Sequence, residues 1–401
     1  MYLKQKIEID GTIVENRVVI QPMEGCDCNT DGSPSELTVR KYKKFVLSGA
    51  GIIWFEANAV CKEGRTGERQ MMLTKENLPA FKKFVKELKD EAEKELGFVP
   101  KFFIQLTHSG RQSIVPMIAY RNPVYEATRP VTDENIVSDE YLDSLPEKYF
   151  ESALLAREAG FDGVDMKCCH GYLVQECLSA YNRKGKYGGS LENRSRLYIE
   201  SYKKLSALAS KDFMIVSRFD PADMVPKPNG FGTDENNNLD LTEAKEILRI
   251  LQGYGLKLVN ITLGNPYYNP HVNRPFRVGA YRPDESPEVG LKRFVDVEAE
   301  LKREFPDMIF VGSGLSYYRE DMMEQAEKQI KEGVCDLVGF GRCALAYPEF
   351  YRDYISGKYN YKKACVACSK CTVLMRNKRV SGCATFDEYY KNLYREIEKK
   401  I

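Results

Sequence analysis

Short apolar runs, rich in β-branched and aromatic side chains, alternate with longer amphipathic stretches along most of the chain. Eight such runs predict strands, at residues 17–21, 52–57, 101–106, 163–167, 214–218, 258–262, 308–312 and 336–341. The stretches between them have helical periodicity and begin near Ser35, Lys75, Asp143, Glu192, Leu241, Leu291 and Arg319. Alternating strands and helices predict an α/β protein with a parallel sheet.

Eight strands, with helices between them, predict a (β/α)8 TIM barrel. A doubly wound open sheet is the alternative, but no G-x-G-x-x-G follows the first predicted strand. In a barrel the active site forms at the carboxyl ends of the strands. Two long segments, residues 107–142 and 220–240, follow the third and fifth predicted strands and are expected to shape a pocket there.

Composition limits the function classes. The 401 residues are 43% hydrophobic and 29% charged, which is typical of a folded protein with a large core. Lys plus Arg number 59 and Asp plus Glu number 58, a balance that argues against a nucleic-acid partner. The charged N-terminus and the absence of a long apolar run predict neither export nor membrane insertion, so we expect a cytoplasmic protein.

The strongest local motif is a set of four cysteines with the spacing C-x2-C-x2-C-x11-C: Cys365, Cys368, Cys371 and Cys383. In a chain without an export signal, such a set is more typical of metal ligation than of disulfides. Four thiolates can bind either a [4Fe–4S] cluster or a structural zinc ion, and the spacing does not distinguish the two. The strand–helix pattern ends before this motif. We therefore expect a barrel over residues 1–350 and a short cysteine-rich, cluster-binding extension over residues 351–401.

A second motif is the segment VDMKCCHGYLVQECLSAYNRKGKYGGSLENRSR, residues 164–196. It resembles the Old Yellow Enzyme family of NADH:flavin oxidoreductases, in the branch similar to 2,4-dienoyl-CoA reductase. That family has H-x-x-H or H-x-x-N before Gly-Tyr-Leu, and here His170 takes the second position whereas Lys167 replaces the first His. The resemblance implies a TIM barrel that binds FMN and an extension that binds a [4Fe–4S] cluster. It does not extend to the C-terminal FAD and NAD domain of the longer reductases.

Other blocks match the family in order and imply flavin contacts. Gln105 would bond the pyrimidine edge, Arg218 would face N1 and O2, and Ala57 would lie beside the ring. Three residues after the first strand would lie against the isoalloxazine: Pro22, Met23 and Glu24. The phosphate site would comprise Gly312, Ser313, Gly314, Gly341 and Arg342. A phosphate also prefers backbone N–H groups after strands 7 and 8 of a TIM barrel, which favours the same residues.

The resemblance implies an ene reductase, which adds hydride and a proton across a C=C bond conjugated to a carbonyl. FMN would deliver the hydride to the β-carbon, while His170 and Lys167 bind the carbonyl oxygen. Tyr172 would protonate the α-carbon, since a phenol is protonated at pH 7. The electron donor would be NADH, NADPH or a reduced ferredoxin. An electron-donor protein and further copies of this chain are compatible partners.

Three other functions remain open at this stage. The same flavin barrel could dehydrogenate or demethylate amines. Lys167 could form a Schiff base, which would make the protein a lyase. The chain could also be an electron-transfer subunit without an organic substrate. For the ene reductase, the sequence leaves open a steroid, a bile-acid intermediate, a flavonoid, a tetrapyrrole or an acyl-CoA thioester as substrate.

Overall fold

A closed barrel of eight parallel strands forms the body of the protein. The structure is a computed structural model and describes residues 1–399. Its strands are β1 (Ile7–Ile9), β2 (Thr12–Val14), β3 (Val18–Ile20), β4 (Ile52–Ala59), β5 (Lys101–Thr107), β6 (Gly163–Met166), β7 (Met214–Phe219), β8 (Leu258–Ile261), β9 (Ile309–Gly312) and β10 (Leu337–Phe340). Strands β3 to β10 pair in sequence order, and β10 returns to pair with β3 at Val338 and Val18. The predicted TIM barrel is confirmed, and the open sheet is wrong.

Within the described residues, seven long helices surround the barrel, and each occurs where amphipathic periodicity predicts one. The helices are α1 (Glu36–Val46), α2 (Leu78–Leu96), α3 (Pro123–Glu126), α4 (Asp139–Ala159), α5 (Leu173–Leu178), α6 (Leu191–Ser206), α7 (Thr242–Gly253), α8 (Pro270–Asn273), α9 (Pro287–Glu304), α10 (Met322–Lys331), α11 (Arg342–Ala346), α12 (Phe350–Ile355), α13 (Lys370–Arg376) and α14 (Glu388–Glu398). The start of α4 precedes the predicted Asp143, because Ser138 caps the helix by accepting a hydrogen bond from the Tyr141 N–H.

The N-terminal hairpin, β1 and β2, packs against one end of the barrel. Ile9 and Val14 belong to the same apolar cluster as Trp54, Phe103 and Val216 of the barrel strands. The sequence pattern did not predict these two strands, since each has only three residues.

The extension that follows the barrel has a small core of its own and contacts the barrel's carboxyl end. Its core comprises Leu374, Val380, Ala384, Tyr390 and Ile397. The Ser381 N–H donates to the Gly25 carbonyl oxygen at 2.7 Å, and Arg40 and Lys44 of α1 both form ion pairs with Asp387. The extension therefore reaches the loop after β3. Among the described helices, none is both long and apolar enough to cross a membrane.

A buried ion cluster lies behind that loop, and we call it the Lys41 cluster. The Lys41 Nζ atom lies 2.5 Å from Glu56 Oε1 and 3.0 Å from Asp27 Oδ2, and these three side chains are at most 4% exposed. The second Glu56 oxygen accepts a hydrogen bond from the Gly25 N–H at 2.8 Å. The Tyr42 hydroxyl donates to Glu56 Oε1 at 3.2 Å. The cluster thus fixes the segment after β3 to helix α1 and strand β4.

Candidate active site

One large cavity opens at the carboxyl end of the barrel and encloses about 1290 Å³ of space, its open mouth included. Residues from or directly after all eight barrel strands line it, as expected for this fold. Nearly all the residues proposed for catalysis and flavin binding are in its wall: Pro22, Met23, Glu24, Ala57, Gln105, Lys167, His170, Tyr172, Arg218, Ser313, Gly314, Gly341 and Arg342. Gly312 lies behind the wall, where a Cβ atom would be 2.8 Å from Glu298 Oε2.

A buried carboxylate, Asp165, organises the floor of the cavity. It accepts hydrogen bonds from Gln105 Nε2 at 2.7 Å, from Trp54 Nε1 at 2.8 Å and from the Arg218 backbone N–H at 2.6 Å. Burial raises the pKa of Asp165, but three donors stabilise its ionised form. The Gln105 amide nitrogen donates to Asp165, so the Gln105 amide oxygen is oriented to accept a hydrogen bond from a ligand.

Two guanidinium groups, Arg274 and Arg342, mark one side of the cavity. Arg342 donates to the Pro275 carbonyl oxygen at 2.9 Å. The Nη1 atoms of Arg342 and Arg274 are both buried and have no hydrogen-bond partner in the described part of the chain. Burial and the charge of Arg342 lower the pKa of Arg274. Neither arginine forms an ion pair with a carboxylate of the described chain. Two guanidinium groups without carboxylate partners, beside the backbone of Gly314 and Gly341, suit a phosphate dianion.

A strained turn presents the residues proposed for catalysis. His170 and Gly171 both have left-handed backbone angles, φ 67° and 66°, a conformation that costs a non-glycine residue roughly 1–3 kcal/mol. The Gly171 N–H donates to Gln175 Oε1, and Gln175 Nε2 donates to Asp220 Oδ2 at 2.8 Å. A Cβ atom at position 171 would lie 2.3 Å from Asn265 Nδ2. Only glycine therefore fits there without displacing Asn265.

His170 has an unpartnered ring nitrogen in this cavity. Its Nε2 atom is buried and makes no hydrogen bond within residues 1–399. Burial and the positive charges of Arg218 and Lys167 lower the pKa of His170 well below its usual value. The imidazole is therefore neutral at pH 7 and can donate a hydrogen bond from one nitrogen.

Lys167 and Tyr172 are in direct contact. The Lys167 ammonium lies 3.7 Å from the centre of the Tyr172 ring. Burial lowers the pKa of Lys167. The Tyr172 hydroxyl lies 3.1 Å from the Tyr267 hydroxyl and 3.4 Å from Glu24 Oε2. Burial and the charge of Glu24 raise the pKa of Tyr172 well above its usual value. The phenol therefore carries its proton throughout the neutral range.

Some residues of the cavity wall carried no recognised sequence signal. Tyr267 and Arg274 lie in the loop after β8, and Thr372 and Met375 belong to the extension. The aromatic and basic residues of this loop, in the segment PYYNPHVNR (residues 266–274), could have indicated that it contacts a ligand. The extension was expected to bind a cluster, but its contribution to the main cavity depends on tertiary contacts alone.

The four motif cysteines, Cys365, Cys368, Cys371 and Cys383, line one small cavity together with Arg342 and Leu345. The Ala367 N–H donates to Cys365 Sγ at 3.4 Å, and Cys368 Sγ lies 3.3 Å from Thr385 Oγ1. Among the described residues, no group of three or more His, Cys, Asp or Glu side chains is arranged to hold a metal ion. Three residues border both the small and the large cavity: Arg342, Leu345 and Cys371.

Comparisons with known proteins agree with this fold. The cinnamate reductase of Clostridium sporogenes is 26% identical over 401 residues, which cover 95% of this chain and 57% of the relative. A 2-naphthoyl-CoA reductase in complex with 2-naphthoyl-CoA has a similar structure, with a TM-score of 0.79, 20% identity, and coverage of 98% of this chain and 58% of that chain. The Old Yellow Enzyme homologue of Zymomonas mobilis has a TM-score of 0.67 at 20% identity and covers 89% of this chain and 93% of that chain.

The chain spans about half the length of the first curated relatives it matches. The family described as the NADH:flavin oxidoreductase / NADH oxidase family matches residues 3–360, which is most of the chain. The resemblance to the Old Yellow Enzyme family is thereby confirmed. The chain belongs to the NADH:flavin oxidoreductase / NADH oxidase family.

Proposed function

We propose that this protein is an FMN-dependent ene reductase that reduces a C=C bond conjugated to a carbonyl group. The observation that carries the proposal is the convergence of Lys167, His170 and Tyr172 on one cavity, which Gln105 and Arg218 also line. The cavity thus combines two hydrogen-bond donors, an uncharged phenol and a set of groups suited to a flavin. This combination is what the reaction needs: charge stabilisation at an oxygen and a proton donor near the α-carbon.

The residues present fit FMN. Within residues 1–399, Arg274 and Arg342 have unpartnered nitrogens for the phosphate, and the buried Arg218 Nε atom also lacks a partner. The Gln105 amide oxygen accepts no hydrogen bond from these residues. When bound, FMN supplies the hydride. Arg218 would hold the ring and would supply a positive charge that favours its reduction.

The chain's own residues would complete the reaction. His170 and Lys167 donate to the substrate oxygen on which negative charge develops, and they are already oriented by packing. Tyr172 transfers its proton to the α-carbon. The Tyr267 hydroxyl, at hydrogen-bond distance, can then stabilise the phenolate that remains.

The most direct test of the function is anaerobic reduction of a simple enone, 2-cyclohexenone, by the purified protein with NADH or NADPH. Flavin absorption near ~450 nm should bleach with the nicotinamide and recover on addition of the enone. A protein that binds FMN but whose reduced flavin is never reoxidised by any enone would contradict the proposal.

One observation favours a second function, a Schiff-base lyase. Lys167 is buried and its pKa is lowered, as for lysines that attack carbonyl groups. Borohydride trapping of a carbonyl compound on Lys167 would support this function.

An amine dehydrogenase is less compatible with the cavity, because the surplus of lysine and arginine side chains in the cavity wall repels a protonated amine.

We also propose that the extension, residues 351–401, binds a [4Fe–4S] cluster through Cys365, Cys368, Cys371 and Cys383. The four cysteines line a single cavity. The Ala367 N–H directed at Cys365 is the kind of bond that tunes a cluster.

Anaerobically prepared protein should contain about four irons per chain, and Cys368→Ser should lose them. FMN affinity should fall as well, because Cys371, Thr372 and Met375 of the same segment line the large cavity. Iron analysis and flavin titration measure the two effects. Stoichiometric zinc without iron in the wild-type protein would contradict the cluster.

Two arginine variants should separate flavin affinity from flavin potential. Arg342→Ala should weaken FMN binding by about 10- to 100-fold, through loss of charge-assisted bonds to the phosphate. Arg218→Ala should instead make the flavin harder to reduce, because the anionic reduced ring loses its counter-charge. Dissociation constants and midpoint potentials measure these effects. A potential that does not change in Arg218→Ala would exclude that residue from the N1 position.

A further inference from the structure

The Glu24 carboxyl group contacts one hydroxyl group with each of its two oxygens. Its Oε2 atom lies 3.4 Å from the hydroxyl oxygen of Tyr172, and its Oε1 atom lies 3.2 Å from that of Thr66. Glu24 and Tyr172 both line the large cavity. Thr66 is half-buried in the loop after β4, next to residues that reach the surface. The carboxyl group therefore bridges the proposed acid and a loop at the edge of the cavity.

Tyr172 needs a new proton after each proposed turnover. Transfer of its proton to the α-carbon breaks the Oη–H bond and leaves a phenolate. The side chain is 3% exposed, Lys167 covers one face of its ring, and Tyr267 lies beside its hydroxyl group. Water therefore has little direct access to the phenolate oxygen while product fills the cavity. A neighbouring group has to return the proton.

Glu24 is the neighbour best suited to this transfer. The other described group at hydrogen-bond distance from the Tyr172 hydroxyl is Tyr267, and a proton passed from one phenol to another only moves the phenolate. A carboxyl group is ordinarily a much stronger acid than a phenol, so transfer from a protonated carboxyl group to the phenolate is favourable. An ionised Glu24 would instead oppose the reaction, because a carboxylate and a phenolate with oxygens 3.4 Å apart repel each other.

We propose that Glu24 returns a solvent proton to Tyr172 after each turnover, with Thr66 as the next member of the relay. This inference rests on the proposed ene reductase function. Glu24 Oε2 gives its proton to the Tyr172 oxygen, and Glu24 Oε1 then takes the proton of the Thr66 hydroxyl, which water resupplies. Rotation of the carboxyl group restores the starting state. One solvent proton thus enters for each proton that reaches the α-carbon.

The Lys41 cluster and the extension hold the backbone beside Glu24 in place. Glu56 of the cluster accepts a hydrogen bond from the Gly25 N–H at 2.8 Å, and the Ser381 N–H donates to the Gly25 carbonyl oxygen at 2.7 Å. Both polar groups of the residue that follows Glu24 are therefore fixed. Proton transfer requires groups held within hydrogen-bond distance, and this anchoring restricts how far the Glu24 carboxyl group can move.

The test follows the Tyr172 phenolate after a single turnover. Anaerobic holoenzyme, reduced beforehand with dithionite, is mixed with 2-cyclohexenone in a stopped-flow instrument, which records flavin reoxidation and tyrosinate absorption together. In Glu24→Gln the flavin should reoxidise at the wild-type rate, because Tyr172 still carries its first proton. The tyrosinate absorption should then decay about 10²- to 10⁴-fold more slowly than in the wild type, the usual contribution of a positioned acid.

Glu68→Gln is the matched control, because it removes an exposed carboxyl group from the loop that carries Thr66. Its tyrosinate absorption should decay as in the wild type. Thr66→Val should slow the decay, and a wild-type decay in this variant would overturn the part of the relay assigned to Thr66. Flavin reoxidation in each variant shows that the site is intact.

Two results with Glu24→Gln would overturn the inference. One is tyrosinate that decays at the wild-type rate, and the other is flavin reoxidation without any accumulation of tyrosinate. Both leave the ene reductase function standing, since the enone has still reoxidised the flavin. Failure of the enone to reoxidise the wild-type flavin would instead reject the function itself, so the two failures are distinguishable.

Discussion

Tyr172→Phe should lower the rate of C=C reduction by about 10²- to 10⁴-fold, the usual contribution of a positioned general acid. Reduction of the flavin by the nicotinamide should not change, because the hydroxyl takes no part in it. The side chain is 3% exposed and its ring packs against Lys167, so phenylalanine preserves the packing. Stopped-flow measurement of the two half-reactions separates the effects.

Tyr267→Phe is the matched control for this variant. It removes a hydroxyl 3.1 Å from that of Tyr172 but leaves the proposed acid in place. We expect a loss of about 2- to 10-fold, the value of one neutral hydrogen bond. If Tyr267→Phe had the larger effect, the acid would have to be reassigned to Tyr267. Near wild-type reduction by Tyr172→Phe would show that another donor supplies the proton.

Lys41→Met should lower the free energy of unfolding by about 3–5 kcal/mol, because removal of one partner leaves buried charges uncompensated. Asp27 and Glu56 would then face each other without the ammonium between them. The segment with Gly25 and Glu24 should also loosen, since Glu56 binds the Gly25 N–H. Urea unfolding, followed by circular dichroism at saturating FMN, measures the loss.

Lys43→Met on the same helix is the control, because Lys43 pairs with Glu91 at the surface, where it is 42% exposed. Exposed pairs of this kind contribute about 0–1 kcal/mol. Adding Glu56→Gln to Lys41→Met should recover part of the loss, because it removes one of the orphaned charges. Unfolding of Lys41→Met at the wild-type urea concentration would mean that the buried carboxyls are uncharged in the folded protein.

The barrel could be predicted from the sequence because its strands are buried on both faces. Such strands are continuous apolar runs, and all eight overlap the observed ones, as at 101–106 and Lys101–Thr107. The barrel in turn indicated where chemistry must lie. Gln105, Lys167 and Arg218 were identifiable because they are polar residues at the ends of those runs.

Other parts of the site depend on contacts that no local pattern encodes. Tyr267 reaches Tyr172 only because the loop after β8 folds across the cavity. Ser381 binds Gly25 across most of the length of the chain. The sequence also could not show that Lys167 lacks an ion pair within residues 1–399, because Asp165 and Glu24 were plausible ion-pair partners by sequence position. Asp165 instead accepts bonds from three other groups.

Closure of the barrel between β3 and β10 has a consequence for biosynthesis. Val18 pairs with Val338, so the ribosome must deliver nearly the whole barrel before the ring can close. At roughly 5–20 residues per second this takes on the order of 20 to 60 s. During that time β3 keeps an unpaired edge, the kind of surface that promotes aggregation. Nascent chains that stall before Leu337 should therefore depend on chaperones to stay in solution.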